Sequence, residues 1–95
     1  MGKRELYLRK LNQQLKSFDN ELKKLEEKAK LEMNIVNENF QDQIKSLKKK
    51  EAVVRHKLDD IRKSGEHAWE DLKPGLQNSF EIFKDSMHKA MDNFS

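Results

Sequence analysis

The sequence has no cysteine, one proline, three glycines, one tryptophan and one tyrosine. Lack of cysteine excludes disulfides, thiol nucleophiles and thiolate metal sites, and fits a reducing compartment. Apolar residues never run long enough to cross a bilayer. The opening "MGKREL" lacks both the apolar core of a signal peptide and the Ser/Thr that a myristoylation motif places where Leu6 stands. A soluble, cytoplasmic protein is expected. Glycine and proline are also absent from Glu5 to Lys63, so neither helix breaker interrupts that stretch.

Charge is plentiful. Of 95 residues, 39% are charged and 35% hydrophobic, which limits the chain to a single domain (1–95) with little apolar surface for a thick core. So small and polar a chain gains cover by adding subunits or extending as a coiled coil. The net charge of +3 conceals an asymmetry. Residues 1–30 carry nine cations and five anions, 31–64 eight and six, and 65–95 three and six. The tail is acidic and the rest basic, so the tail can fold onto its own chain or a neighbour's.

Apolar residues recur at Leu8, Leu11, Leu15, Phe18, Leu22, Leu25 and Ala29 in steps of three and four, a heptad seam on one side of a helix. The seam continues through Met33, Val36, Phe40, Ile44 and Leu47, meets a polar Glu51, and resumes at Val54, Leu58 and Ile61. Acid-then-base pairs at i, i+4 flank it: Glu5–Arg9, Asp19–Lys23, Glu26–Lys30, Glu51–Arg55 and Asp59–Lys63. Arg62 and Lys63 then suit a helix C-terminus, and Ser64-Gly65 reads as a stop with Gly65 in the left-handed conformation. Beyond it Ala68, Trp69, Leu72, Leu76, Phe80, Phe83, Met87, Met91 and Phe94 restart the pattern, and Pro74 inside it predicts a kink or short break at Lys73-Pro74.

The fold class is therefore all-α. The favoured arrangement is a dimeric coiled-coil hairpin: a long helix over 5–63, a turn at 64–65 and a kinked second helix over 66–94. Asn34, Asn37 and Asn39 offer an alternative turn that divides the chain into three segments of similar length, a three-helix bundle. In the hairpin the second helix covers only half of the first, since each residue adds 1.5 Å. The seam at Leu8, Leu11, Leu15, Phe18, Leu22 and Leu25 would then be a protein interface, pairing with another copy as an antiparallel homodimer or with a foreign protein. Trp69, Leu72, Phe80, Phe83, Met87 and Phe94 would serve hairpin packing, or docking into a partner's groove.

Chemistry-bearing patterns are sparse. Lys48, Lys49 and Lys50 point around a helix and have no aromatic neighbours, so a solvated face is expected and no nucleic-acid binding. The polar side of residues 76–94 mixes Glu81, Lys84, Asp85, Lys89 and Asp92, which argues against a membrane surface. His56, His67 and His88 have no metal-ligand spacing. There is no phosphate loop or nucleophile elbow, and no serine has a base paired with it in sequence. No metal, no cofactor and no enzymatic activity are expected, and the leading function is protein binding.

Gly65, Ala68, Trp69, Leu72 and Gly75 form a Gly-x-x-Ala-Trp-x-x-Leu-x-x-Gly pattern, followed by Phe80 and an amphipathic tail. The pattern, behind a long Lys/Glu/Gln-rich helix, resembles the small bacterial coiled-coil proteins of stress-response type. Pro74 departs from the alanine usual there. This resemblance implies a helical, non-catalytic protein. A fainter similarity, carried by no motif, is to the small helical inhibitor that Legionella encodes beside its ubiquitin-deamidating and transglutaminating effectors. It is an example of how such a chain can act, by covering an enzyme's surface. The leading function is an adaptor or inhibitor that occludes its target, and a stress-related protein associating with membranes or exposed apolar surfaces is the alternative.

Overall fold

A computed structural model describes residues 2–31 and 38–94. Met33, Asn34, Val36 and Asn37 lie outside the described residues, as do the side chains of Ala29, Phe40 and Phe94. Three helices follow in order, α1 (Lys3–Leu31), α2 (Glu38–Lys63) and α3 (Ala68–Phe94). They form a rod measuring 52 × 20 × 19 Å.

Of the two all-α arrangements, the three-helix bundle is the one adopted. A straight helix over 5–63 would run ~88 Å, well beyond the longest dimension of the molecule. Cross-helix contacts confirm the reversal. Lys48 Nζ lies 2.9 Å from Glu26 Oε1, and Arg55 Nη2 lies 3.9 Å from Asp19 Oδ1, so α2 runs antiparallel to α1 and beside it. The seam expected to stay uncovered has intrachain cover: Leu11, Leu15, Leu22 and Leu25 are buried, with Leu15 only 1% exposed. Folding back satisfies the stripe within one chain, where no second copy has to be recruited.

The core joins these leucines to Ile44, Leu47, Val54, Leu58 and Ile61 of α2 and to Trp69, Leu76, Phe80, Phe83, Met87 and Ala90 of α3. The heptad steps explain the selection, because only positions on one face of each helix can point to a common axis. Phe18 packs edge-on to both Phe80 and Phe83, each ring 5.9 Å away. Among the described residues no polar or charged residue is buried in this core.

Two details of the α2–α3 turn differ from expectation. No described glycine has a positive φ. Helix α2 is instead closed by Ser64, whose backbone N–H and hydroxyl both donate to the Ile61 carbonyl, at 3.1 and 2.6 Å. The Gly65 carbonyl then accepts from the Trp69 N–H at 3.4 Å, opening α3. Nor does α3 break at Lys73-Pro74, since it continues through Pro74 to Phe94. Packing of the stripe on both sides of the proline offsets the hydrogen bond lost there.

Candidate protein-interaction surface

With the seam inside the bundle, one open concave surface among the described residues is the groove between the start of α1 and the end of α2, and another lies between α2 and α3 beside Lys50 and Ser86. Arg4, Leu8 and Asn12 recur every four residues along α1, and Arg55, Leu58 and Arg62 face them from α2. The inner part is lined by Leu8, Asn12, Arg55, Leu58, Asp59 and Arg62. It widens into a shallower part that shares Leu8, Asn12 and Arg62 and adds Arg4, Glu5, Arg9, Gln13 and Lys16. Leu8 is half-buried and Leu58 buried, forming an apolar floor.

Around that floor the charge is unbalanced. Both acidic residues of the rim are engaged locally: Asp59 accepts from Lys63 at 2.8 Å and pairs with Arg62, and Glu5 accepts from Arg4 at 3.1 Å. Hydrogen bonds from Lys63 and Arg62 hold the Asp59 carboxyl below its ordinary value, and backbone and Arg4 hydrogen bonds do the same for Glu5. Arg9 and Lys16 have no carboxylate partner among the described residues, so the groove presents cations around an apolar floor. Arg4 also donates to the Ser64 carbonyl, tying the start of α1 to the end of α2.

Below the groove, α1 and α2 meet at a cluster of Asp19, Lys23, Glu51 and Arg55. Lys23 lies 3.2 Å from Asp19, and Arg55 Nε lies 3.4 Å from Glu51. Burial, then the neighbouring Asp19 charge, pushes the Glu51 carboxyl above its ordinary value. Burial alone would raise Asp19 too, but hydrogen bonds from Lys23 and Glu51 and the charges of Lys23 and Arg55 hold it below. The polar gap in the seam at Glu51 is thus a carboxyl paired within α2 to Arg55, with its second oxygen buried and without a hydrogen-bond partner.

The other sequence-derived candidates fall as follows. Leu11, Leu15, Leu22 and Leu25 lie in the core, Leu8 and Phe18 at its margin. Trp69, Phe80, Phe83 and Met87 are buried, which withdraws the apolar stripe of residues 76–94 from docking by the folded chain; Leu72 is 41% exposed and does not pack as expected. Trp69 sits against Tyr7 of α1, ring centres 5.9 Å apart, with Lys73 Nζ 4.9 Å from the Tyr7 ring. Lys48 and Lys50 are engaged with Glu26 and Ser86. Among the described residues no His, Asp and Glu group into a metal site, and no helix is long and apolar enough to cross a membrane.

One pairing was invisible in the sequence. Lys50 Nζ donates to Ser86 Oγ at 2.7 Å although 36 residues separate them, so a serine does have a basic neighbour. Both residues lie in helix interiors, where backbone N–H groups are committed to the helix and none is left to stabilise an oxyanion. The pair acts as a polar staple between α2 and α3. Comparison of the chain with protein-family models, curated proteins and solved structures finds no match.

Proposed function

We propose that the protein is a non-enzymatic helical interaction module, an adaptor or inhibitor that binds a partner protein through the α1/α2 groove and occludes the surface it covers. The observation carrying this reading is the groove's combination of an apolar floor at Leu8 and Leu58 with a cationic rim containing Arg9 and Lys16, which have no carboxylate partner among the described residues. Apolar contact supplies affinity, and the rim selects partners with carboxylates around an apolar ridge. The motif-based likeness to small coiled-coil proteins is compatible with a binding role.

The test compares the wild-type chain with Arg9→Glu/Lys16→Glu as immobilised baits in extract of the native host. Neither side chain contributes to the core, so the variant keeps its helicity by circular dichroism. A protein retained by wild type and lost from the variant supports the proposal, whereas equal retention by both baits, or none by either, overturns it.

A further inference from the structure

The concave surface between α2 and α3 shares no residue with the α1/α2 groove. It is a cavity of about 230 Å³ whose polar side chains are Gln43, Ser46 and Lys50 of α2 with Ser86 and Lys89 of α3. Buried Leu47 and Ala90 complete its lining. Sites for drug-sized molecules run ~300–1,000 Å³, so a cavity of this size suits a small ion. No carboxylate lines it. Asp85 stands one turn before Lys89 on α3, yet neither Lys50 nor Lys89 has a carboxylate partner among the described residues.

Hydrogen bonding inside the cavity is incomplete in a particular way. The half-buried Lys50 donates one of its three N–H groups to Ser86 Oγ at 2.7 Å. Accepting that bond leaves the Ser86 hydroxyl its own proton to donate, and Ser46 offers a second hydroxyl. Gln43 Oε1 is buried without a hydrogen-bond partner, which costs free energy until a donor reaches it. The cavity thus gathers two ammonium groups, two hydroxyls and one acceptor that lacks a donor.

We propose that this cavity binds inorganic phosphate. Lys50 and Lys89 supply charge-assisted hydrogen bonds, the two serine hydroxyls donate to further oxygens, and Gln43 Oε1 accepts from the phosphate's own hydroxyl. That last contact sets the selectivity. Inorganic phosphate keeps a proton throughout the neutral range, whereas sulfate has none there. A phosphate monoester loses its second proton at about pH 6, and above that it too arrives without a donor. Such an anion turns a bare oxygen toward Gln43 Oε1, which adds repulsion to the missing bond. Phosphate also ties α2 to α3, so the folded chain gains stability by mass action.

The experiment titrates the full chain with sodium phosphate by calorimetry at about pH 8, with sodium sulfate and methyl phosphate at matched ionic strength as competitors and thermal unfolding as a second readout. The expected result is saturable phosphate binding, a thermal midpoint that rises with phosphate, and roughly tenfold weaker binding of the other two anions. Lys50→Met and Lys89→Gln should each weaken phosphate binding roughly ten- to a hundredfold. Lys89 is exposed, so Lys89→Gln keeps the fold whatever Lys50→Met does. Lys49→Gln removes the same charge outside the cavity and should leave phosphate binding within about twofold of wild type. Gln43→Leu removes the unpartnered acceptor and should bring phosphate and sulfate to within about threefold of each other. Three results overturn the proposal: no saturable phosphate binding, sulfate or methyl phosphate binding as tightly as phosphate, or a loss in Lys49→Gln as large as that in Lys89→Gln.

Discussion

Leu15→Ala tests whether α1 belongs to the core of a single chain. Leu15 is 1% exposed and sits in the middle of α1, so truncation removes buried methyl groups and leaves a cavity that the rod cannot easily close. Such changes cost about 2–5 kcal/mol. Leu6, one helix face away and 46% exposed, should lose under ~0.5 kcal/mol when replaced by alanine. For a chain of this length total stability is ~5–14 kcal/mol, so Leu15→Ala consumes a large share of it and lowers the urea midpoint by roughly 1–3 M. The assay is urea unfolding followed by Trp69 fluorescence and circular dichroism, at two protein concentrations about a hundredfold apart. If the seam were satisfied only by another chain, stability would rise with concentration by about 2.7 kcal/mol over that interval. Intrachain packing requires coincident curves. Concentration-dependent midpoints, or a Leu15→Ala cost no larger than that of Leu6→Ala, would refute the assignment of α1 to the monomer's core.

Glu51→Gln should change the pH dependence of stability. The folded chain raises the Glu51 carboxyl, so its contribution is full below its ordinary value and is lost as pH rises through the raised one. Asp19, held low, contributes above its ordinary value and loses that contribution on acidification. The variant should therefore gain on wild type between pH 4 and pH 7 and match it in more acidic solution; a stability difference that does not change with pH in urea titrations would contradict this. Gly65→Ala should stabilise by ~0.4–1 kcal/mol by restricting the unfolded chain, because an added Cβ meets nothing within 4 Å and φ is not positive there. A lower thermal midpoint would count against that account.

The α2–α3 turn was legible because its signals are local: Arg62 and Lys63 at a helix end, then Ser64-Gly65. Its detailed geometry was not, since a serine hydroxyl and a left-handed glycine close a helix equally well. The reversal between α1 and α2 was harder to read. Hydrophobic periodicity records which face of a helix is apolar but not what covers it, and the same stripe serves a long coiled coil and a folded bundle. What decided the matter was the match between helix lengths of 29, 26 and 27 residues, which lets three segments cover one another with none left bare. The groove was illegible for a different reason. Arg4 and Arg62, or Lys50 and Ser86, become neighbours only through tertiary packing, and sequence separation hides them.

The division of charge along the chain becomes, in the bundle, a division across its width. In a three-helix rod the α1/α2 groove lies opposite α3, whose outward positions include Glu70, Asp71, Glu81 and Asp85. The molecule is therefore polarised crosswise, and under the proposed binding role its cationic side would be steered toward an acidic target before contact is made. Such steering raises encounter rates by about tenfold or more at low ionic strength and fades as added salt shortens the reach of the field. If the proposed groove binds such a target, salt should slow arrival far more than it hastens departure, since an apolar floor is indifferent to screening.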